Sequence, residues 1–176
     1  YMNSSNSAEQ VEKIRGWLTG RLPQDWFEGP VAVSVDREEL TVVGTLQAPD
    51  VAEGASAAEQ AAAVSGRIKE FRERTRDHRI EIARELEHRL GRKVAWGVQV
   101  GDRRELFTTL SIPVMTRLRQ PERLVLDTLV DAGVARSRSE ALAWCVKLVG
   151  KNADGWLGDL RAAMEQVSKV RAEGPS

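Results

Sequence analysis

Between residues 56 and 90 the chain has no proline and one glycine, Gly66. Within that stretch Val64, Ile68, Phe71, Thr75, Ile82, Leu86 and Leu90 recur at spacings of three, four or seven. A strand alternates every second residue, so this periodicity predicts a single amphipathic helix. At 1.5 Å per residue an unbroken helix of this kind is on the order of 50 Å long. Its remaining faces mix Arg72, Glu73, Arg74, Arg76 and Asp77. Such mixing reads as a solvated, ion-paired surface, with a basic stripe facing a polyanion as the other reading. Gly91 supplies the stop.

What flanks this helix decides the fold class. On one side, residues 31–35 and 40–46 are rich in β-branched side chains and are separated by a polar turn at 36–39. On the other, residues 94–100 and 106–110 flank a turn at 101–104. Both read as β-hairpins. They share a pattern: Val31-Ala32 matches Val94-Ala95, Asp36 through Leu40 matches Asp102 through Leu106, and Thr45-Leu46 matches Thr109-Leu110. An internal duplication would explain the match, and so would generic hairpin patterning. Residues 8–22 carry Val11, Ile14, Trp17 and Leu18 at helical spacing and end at Pro23. The expectation is an α+β domain over residues 8–110, with an N-terminal helix and two β-hairpins flanking one long helix in an antiparallel sheet.

The next segment has a different grammar. Alternation over residues 114–120 puts Val114, Thr116, Leu118 and Gln120 on one face and Met115, Arg117 and Arg119 on the other, which predicts a short strand. Pro121 suits the first turn of a helix, where its missing N–H costs nothing. Leu124, Val125, Leu129 and Val130 give that helix an apolar face, and Gly133 ends it. Ser137 and Glu140 form a capping box that opens a second helix. Its buried side is expected to carry Ala141, Leu142, Trp144, Cys145, Leu148 and Val149, with Gly150 as its stop. A last amphipathic helix over residues 151–172 shows Trp156, Leu157, Leu160, Met164 and Val167 on one face.

A strand with alternating arginines, a Pro-Glu helix start, a glycine turn and a Ser-Arg-Ser-Glu second helix resembles the ribbon-helix-helix DNA-binding family. The resemblance covers residues 112–150, with the module itself at 111–150. It implies that the strand pairs with its mate from a second chain and that the two-stranded ribbon enters the major groove of double-stranded DNA. Met115, Arg117 and Arg119 would then read bases. Backbone N–H groups near Ser137, Arg138 and Ser139 would clamp a phosphate. Two physical facts accord with those roles: arginine fits the guanine edge bidentately, and a helix N-terminus attracts anions. The other reading of the same residues is a plain helical hairpin with solvated arginines.

Charge bears on this choice. The whole chain has formal net charge zero, from 26 basic and 26 acidic side chains. Residues 1–66 hold four basic and ten acidic groups, residues 67–106 twelve and eight, and residues 107–176 ten and eight. An acidic head on a mildly basic body accords with DNA contact through one face.

Catalytic patterns are lacking in the sequence. His78 and His88 lie ten residues apart on the long helix and cannot share a metal, so no metal site is expected. Cys145, on an apolar face, reads as an inert core residue. Phosphate loops, dinucleotide fingerprints and nucleophile elbows are missing, so neither enzyme activity nor a cofactor is expected. The lone cysteine accords with a reducing cytoplasm. No apolar run approaches a membrane span, and residues 3–7 show no charged-then-apolar leader pattern. The functional expectation is a bacterial, cytoplasmic, homodimeric or higher-order DNA-binding protein, either a transcriptional regulator or a nucleoid-associated protein. The alternative is a non-catalytic scaffold that assembles through the long helix and sheet without nucleic acid.

Overall fold

The computed structural model describes the backbone of residues 4–175 and the side chains of residues 8–175. It divides into two compact units, with the division in the chain between Ser111 and Ile112. The first holds α1 (Ser4–Arg21), β1 (Ala32–Val35), β2 (Glu39–Thr45), α2 (Ala57–Arg74), α3 (Arg76–Leu90), β3 (Lys93–Val100) and β4 (Arg103–Leu106). The second holds α4 (Gln120–Asp131), α5 (Arg138–Asn152) and α6 (Asp154–Glu173). The expected α+β class holds, with six helices and one four-stranded sheet among the described residues.

Both hairpins form, the first where the β-branched runs placed it and the second with a shifted outer strand. Asp36 shapes the first turn: its Oδ1 accepts the backbone N–H groups of Glu38 at 2.8 Å and Glu39 at 2.7 Å. The strand order is β1-β2-β3-β4, with antiparallel outer pairs and a parallel central pair. The expected all-antiparallel sheet is therefore corrected to a mixed one. The helical crossover between β2 and β3 is the cause, because it returns the chain to run in the same direction. Register sets Leu40 beside Val94 and Val42 beside Trp96. These side chains meet Ile14 and Leu18 of α1, Ile68 and Phe71 of α2, and Ile82 and Leu86 of α3 in one core. Close approach is built in at Gly44, where any Cβ would collide with the ring of Phe27.

The single long helix is also corrected. It breaks at Thr75 (φ −98°, ψ 0°) into α2 and α3. Threonine does not break a helix by steric clash. Here its Oγ1 donates back to the Phe71 carbonyl at 2.7 Å and accepts the Nε–H of Arg79 at 2.9 Å, and back-bonding of this kind bends helices. Only β4 differs much from the second expected hairpin, pairing over Arg103–Leu106 rather than 106–110.

In the second unit the core is small. Leu126, Ala135 and Ala141 are buried, with Leu118, Leu129, Val130, Leu142 and Cys145 packed around them. Trp144, Leu148 and Val149, expected on the buried side of α5, are exposed. Nor does Gly150 stop α5, which runs on to Asn152 and gives way to α6 at Ala153 (φ −116°, ψ 22°). A glycine ends a helix only where it takes the left-handed conformation, as Gly91 does at φ 64° and Gly133 does at φ 75°. Helix α6 packs on α5 yet buries none of its own side chains.

Candidate nucleic-acid interface

Residues 112–119 form neither helix nor strand and enter no strand pairing among the described residues. Leu118 turns inward onto the Leu126 cluster. Arg117 and Arg119, its neighbours on the opposite side of the alternation, are exposed, and no hydrogen bond or ion pair engages their side chains among the described residues. Met115 is 94% exposed. Val114 lies on Leu118's side of the alternation but is 86% exposed, so nothing covers the inner face at that end. The single chain thus presents a segment outside any strand pairing, whose backbone carbonyls are engaged at Leu118 and Arg119, next to α4.

Local chemistry fixes how this segment joins α4. Arg119 is the N-cap, in extended conformation (φ −83°, ψ 174°), and Pro121 occupies the first turn. The Arg119 carbonyl accepts the Arg123 N–H at 3.0 Å. The guanidinium of Arg123 reaches back to the Leu118 carbonyl at 2.9 Å. This clamp gave no motif in the sequence, because an arginine two residues after a proline is unremarkable there.

The N-terminus of α5 is well built. Ser137 Oγ accepts the Glu140 N–H at 3.1 Å, and Glu140 Oε2 accepts the Arg136 N–H at 2.7 Å. The capping box therefore closes one residue earlier than its usual reciprocal form. Backbone N–H groups of Arg138 and Ser139 lie in the first helical turn, where no intrahelical acceptor exists. Ser139 is exposed. Arg138 has a further contact. Its side chain forks onto Asp127 of α4, with Nε–Oδ1 at 2.7 Å and Nη2–Oδ2 at 2.9 Å. The hydrogen bonds, followed by the coulombic attraction of the pair, raise the Arg138 pKa above its ordinary value. The same bonds hold the Asp127 carboxyl below its usual range.

Of the six residues singled out, Met115, Arg117 and Arg119 share the exposed segment, and Ser137, Arg138 and Ser139 share the capped start of α5. The chemistry available there is recognition: free guanidinium forks on a segment outside any strand pairing, and unpaired amide donors at a helix start. Among the described residues no group of three or more His, Cys, Asp or Glu could hold a metal ion. Among them, too, no helix is long and apolar enough to cross a membrane.

Comparison with known proteins divides the chain in a similar place. Residues 12–106 match the family described as Rv1265-like protein, N-terminal domain, and residues 119–171 match the Mb1296 C-terminal domain. The chain is 58% identical over 159 residues to Mb1296 of Mycobacterium bovis and likewise to Rv1265 of Mycobacterium tuberculosis, covering 90% of this chain and 69% of each relative. No solved structure matches it. A match over more than half of its length, together with relatives this similar, shows that the chain belongs to the Rv1265-like protein family.

Proposed function

We propose that this protein is a homodimeric DNA-binding protein, a transcriptional regulator or nucleoid-associated protein of the bacterial cytoplasm. Two copies pair residues 112–119 into an antiparallel ribbon. Met115, Arg117 and Arg119 on its outer face enter the major groove, and the amide groups at the start of α5 hold the flanking phosphate. The observation that carries this reading is the open, unpaired segment with two unengaged arginines, leading directly into α4. A strand with a bare edge is a template for a second strand. Leu124, Val125, Trp144 and Leu148 also stand exposed on α4 and α5, which accords with a core completed by a second chain.

In this arrangement Arg138 offers phosphate its backbone N–H, while Asp127 occupies its side-chain fork. Duplex binding by the full chain, titrated from about 50 to 200 mM salt, tests the proposal through the steep salt dependence of phosphate contacts. The double variant Arg117→Ala, Arg119→Ala is expected to lose specific binding while keeping its fold and dimer mass. Equal duplex affinity of wild type and double variant at ~50 mM salt would remove the proposal.

A second reading, a scaffold without nucleic acid, draws on the exposed α6 face of Trp156, Leu160, Met164 and Val167. It predicts that substitutions on that face change assembly mass and that the two strand arginines are silent.

A further inference from the structure

Lys69, Arg72, Arg76 and Arg79 are spaced by three, four and three residues, so they form one stripe along α2 and α3. The break at Thr75 does not scatter them. All four line one groove of about 650 Å³, joined by Arg103 of β4, with Phe107 among its apolar walls. That volume falls within the range of small-molecule sites.

Arg79 is 7% exposed. Its Nε–H donates to Thr75 Oγ1 at 2.9 Å, its Nη2 donates to the Arg72 carbonyl at 2.7 Å, and its guanidinium carbon lies 4.8 Å from the centre of the Phe107 ring. Arg72 stacks on the same ring at 5.4 Å. Every one of these partners is neutral. The groove also contains two carboxylates, but Glu73 lies 3.9 Å from Lys69 and Glu105 lies 3.0 Å from Arg103, so both already have a cation. Among the described residues none pairs with Arg79. Burial, followed by the like charges of Arg72 and Arg76, pushes its pKa down to about 10, and it remains a cation at neutral pH.

A buried cation without a counter-charge is costly, and the cost is tolerated where a ligand completes the charge balance. Five cations stand against two carboxylates in the groove and Asp77, 3.4 Å from Arg76, outside it, an excess that one carboxylate ligand would not neutralise. Arginine forks match phosphate oxygens bidentately. The concavity favours a small ligand over a duplex, whose convex backbone would meet only the outer rim.

We propose that this groove binds an oligophosphate-bearing small molecule, its phosphate oxygens held by Arg72, Arg76 and Arg103 above Arg79. The site is separate from residues 112–152 and does not depend on the DNA reading. Calorimetric titration of the full chain with sodium tripolyphosphate, at constant ionic strength, tests it. The expected result is one saturable site per chain, weakened at least tenfold by Arg76→Gln with Arg103→Gln and unchanged by Arg84→Gln, an exposed residue outside the groove. Both groove residues are solvent-facing, so unliganded melting temperatures should stay within a few degrees of wild type. A nucleoside triphosphate run alongside separates two sources of the same chemistry. Tighter binding than tripolyphosphate adds a base contact, and equal binding leaves the phosphate chain as the recognised part. No saturable heat, or equal weakening by Arg84→Gln, would overturn the proposal. So would loss of duplex affinity in the groove variant of a chain that takes up no tripolyphosphate, since the groove would then serve nucleic acid.

Discussion

Arg138 grips Asp127 through two parallel hydrogen bonds of 2.7 and 2.9 Å, tying the first turn of α5 to the middle of α4. The pair is a bidentate fork in a unit whose buried core, among the described residues, is Leu126, Ala135 and Ala141. So small a core leaves the polar ties a larger share of the holding.

That fork gives the second unit an acid sensitivity. Asp127 has a folded pKa below its unfolded value, chiefly because Arg138 donates hydrogen bonds to it. A depressed carboxyl stabilises the fold above its unfolded pKa and loses that contribution as pH falls through the folded one. Thermal melts recorded from pH 6 down to pH 2.5 should show the α4–α5 transition weakening below the ordinary aspartate range. Asp127→Asn should weaken it already at neutral pH and flatten the dependence. An unchanged pH profile in Asp127→Asn would show that the fork contributes nothing.

Gly44→Ala should destabilise the first unit. The new Cβ would occupy the space of the Phe27 ring, which packs against the core through Trp26 and Phe71. Overpacking of this kind costs about 1–3 kcal/mol. Urea denaturation should show a lower midpoint at constant slope, and the second substitution Phe27→Leu should recover part of the loss.

Thr75→Val keeps the shape of a side chain that is 2% exposed and removes its hydroxyl. The Arg79 Nε–H then loses its acceptor in a buried setting. The expected loss is about 1–3 kcal/mol. Thr75→Ser retains the oxygen and should lie near wild type. Equal destabilisation by both would mean that the methyl group, and not the hydroxyl, matters at the break.

Ser137→Ala removes the acceptor for the Glu140 N–H and should cost about 0.5–2 kcal/mol of the second unit's stability. Loss of the amide protection factor of Glu140 in hydrogen exchange would locate the effect at the cap.

Much of this architecture could be read before the fold was known, and the exceptions share a cause. Residues 137–140 announced a helix start because a cap is local chemistry between a hydroxyl and an amide three residues on. The hairpins around Asp36 and Gly101 were equally local. The break at Thr75 was hidden, because threonine accords with a helix and bends it only when its hydroxyl finds Phe71 and Arg79. Likewise the parallel seam between Leu40 and Val94 depends on how α2 and α3 pack, which no single segment encodes. The fork from Arg138 onto Asp127, eleven residues earlier, was hidden too, because Asp127 read as one more polar residue on a helix. Alternation set Met115, Arg117 and Arg119 against Leu118, which does pack inward, but Val114 and Thr116 on Leu118's side are exposed too. Alternation also suggested a strand, but in a single chain it names no partner.

The parallel seam also governs the order of assembly. Each hairpin can zip from its own turn, since its partners are close along the chain. The seam joins Thr45 to Gln99 and Glu39 to Lys93 only after both intervening helices have been gathered in. Loop closure over that distance carries an entropic cost paid before any contact repays it. The two hairpins are therefore expected to form early and separately, with the union of β2 and β3 as the slow event that turns two local structures into one cooperative domain.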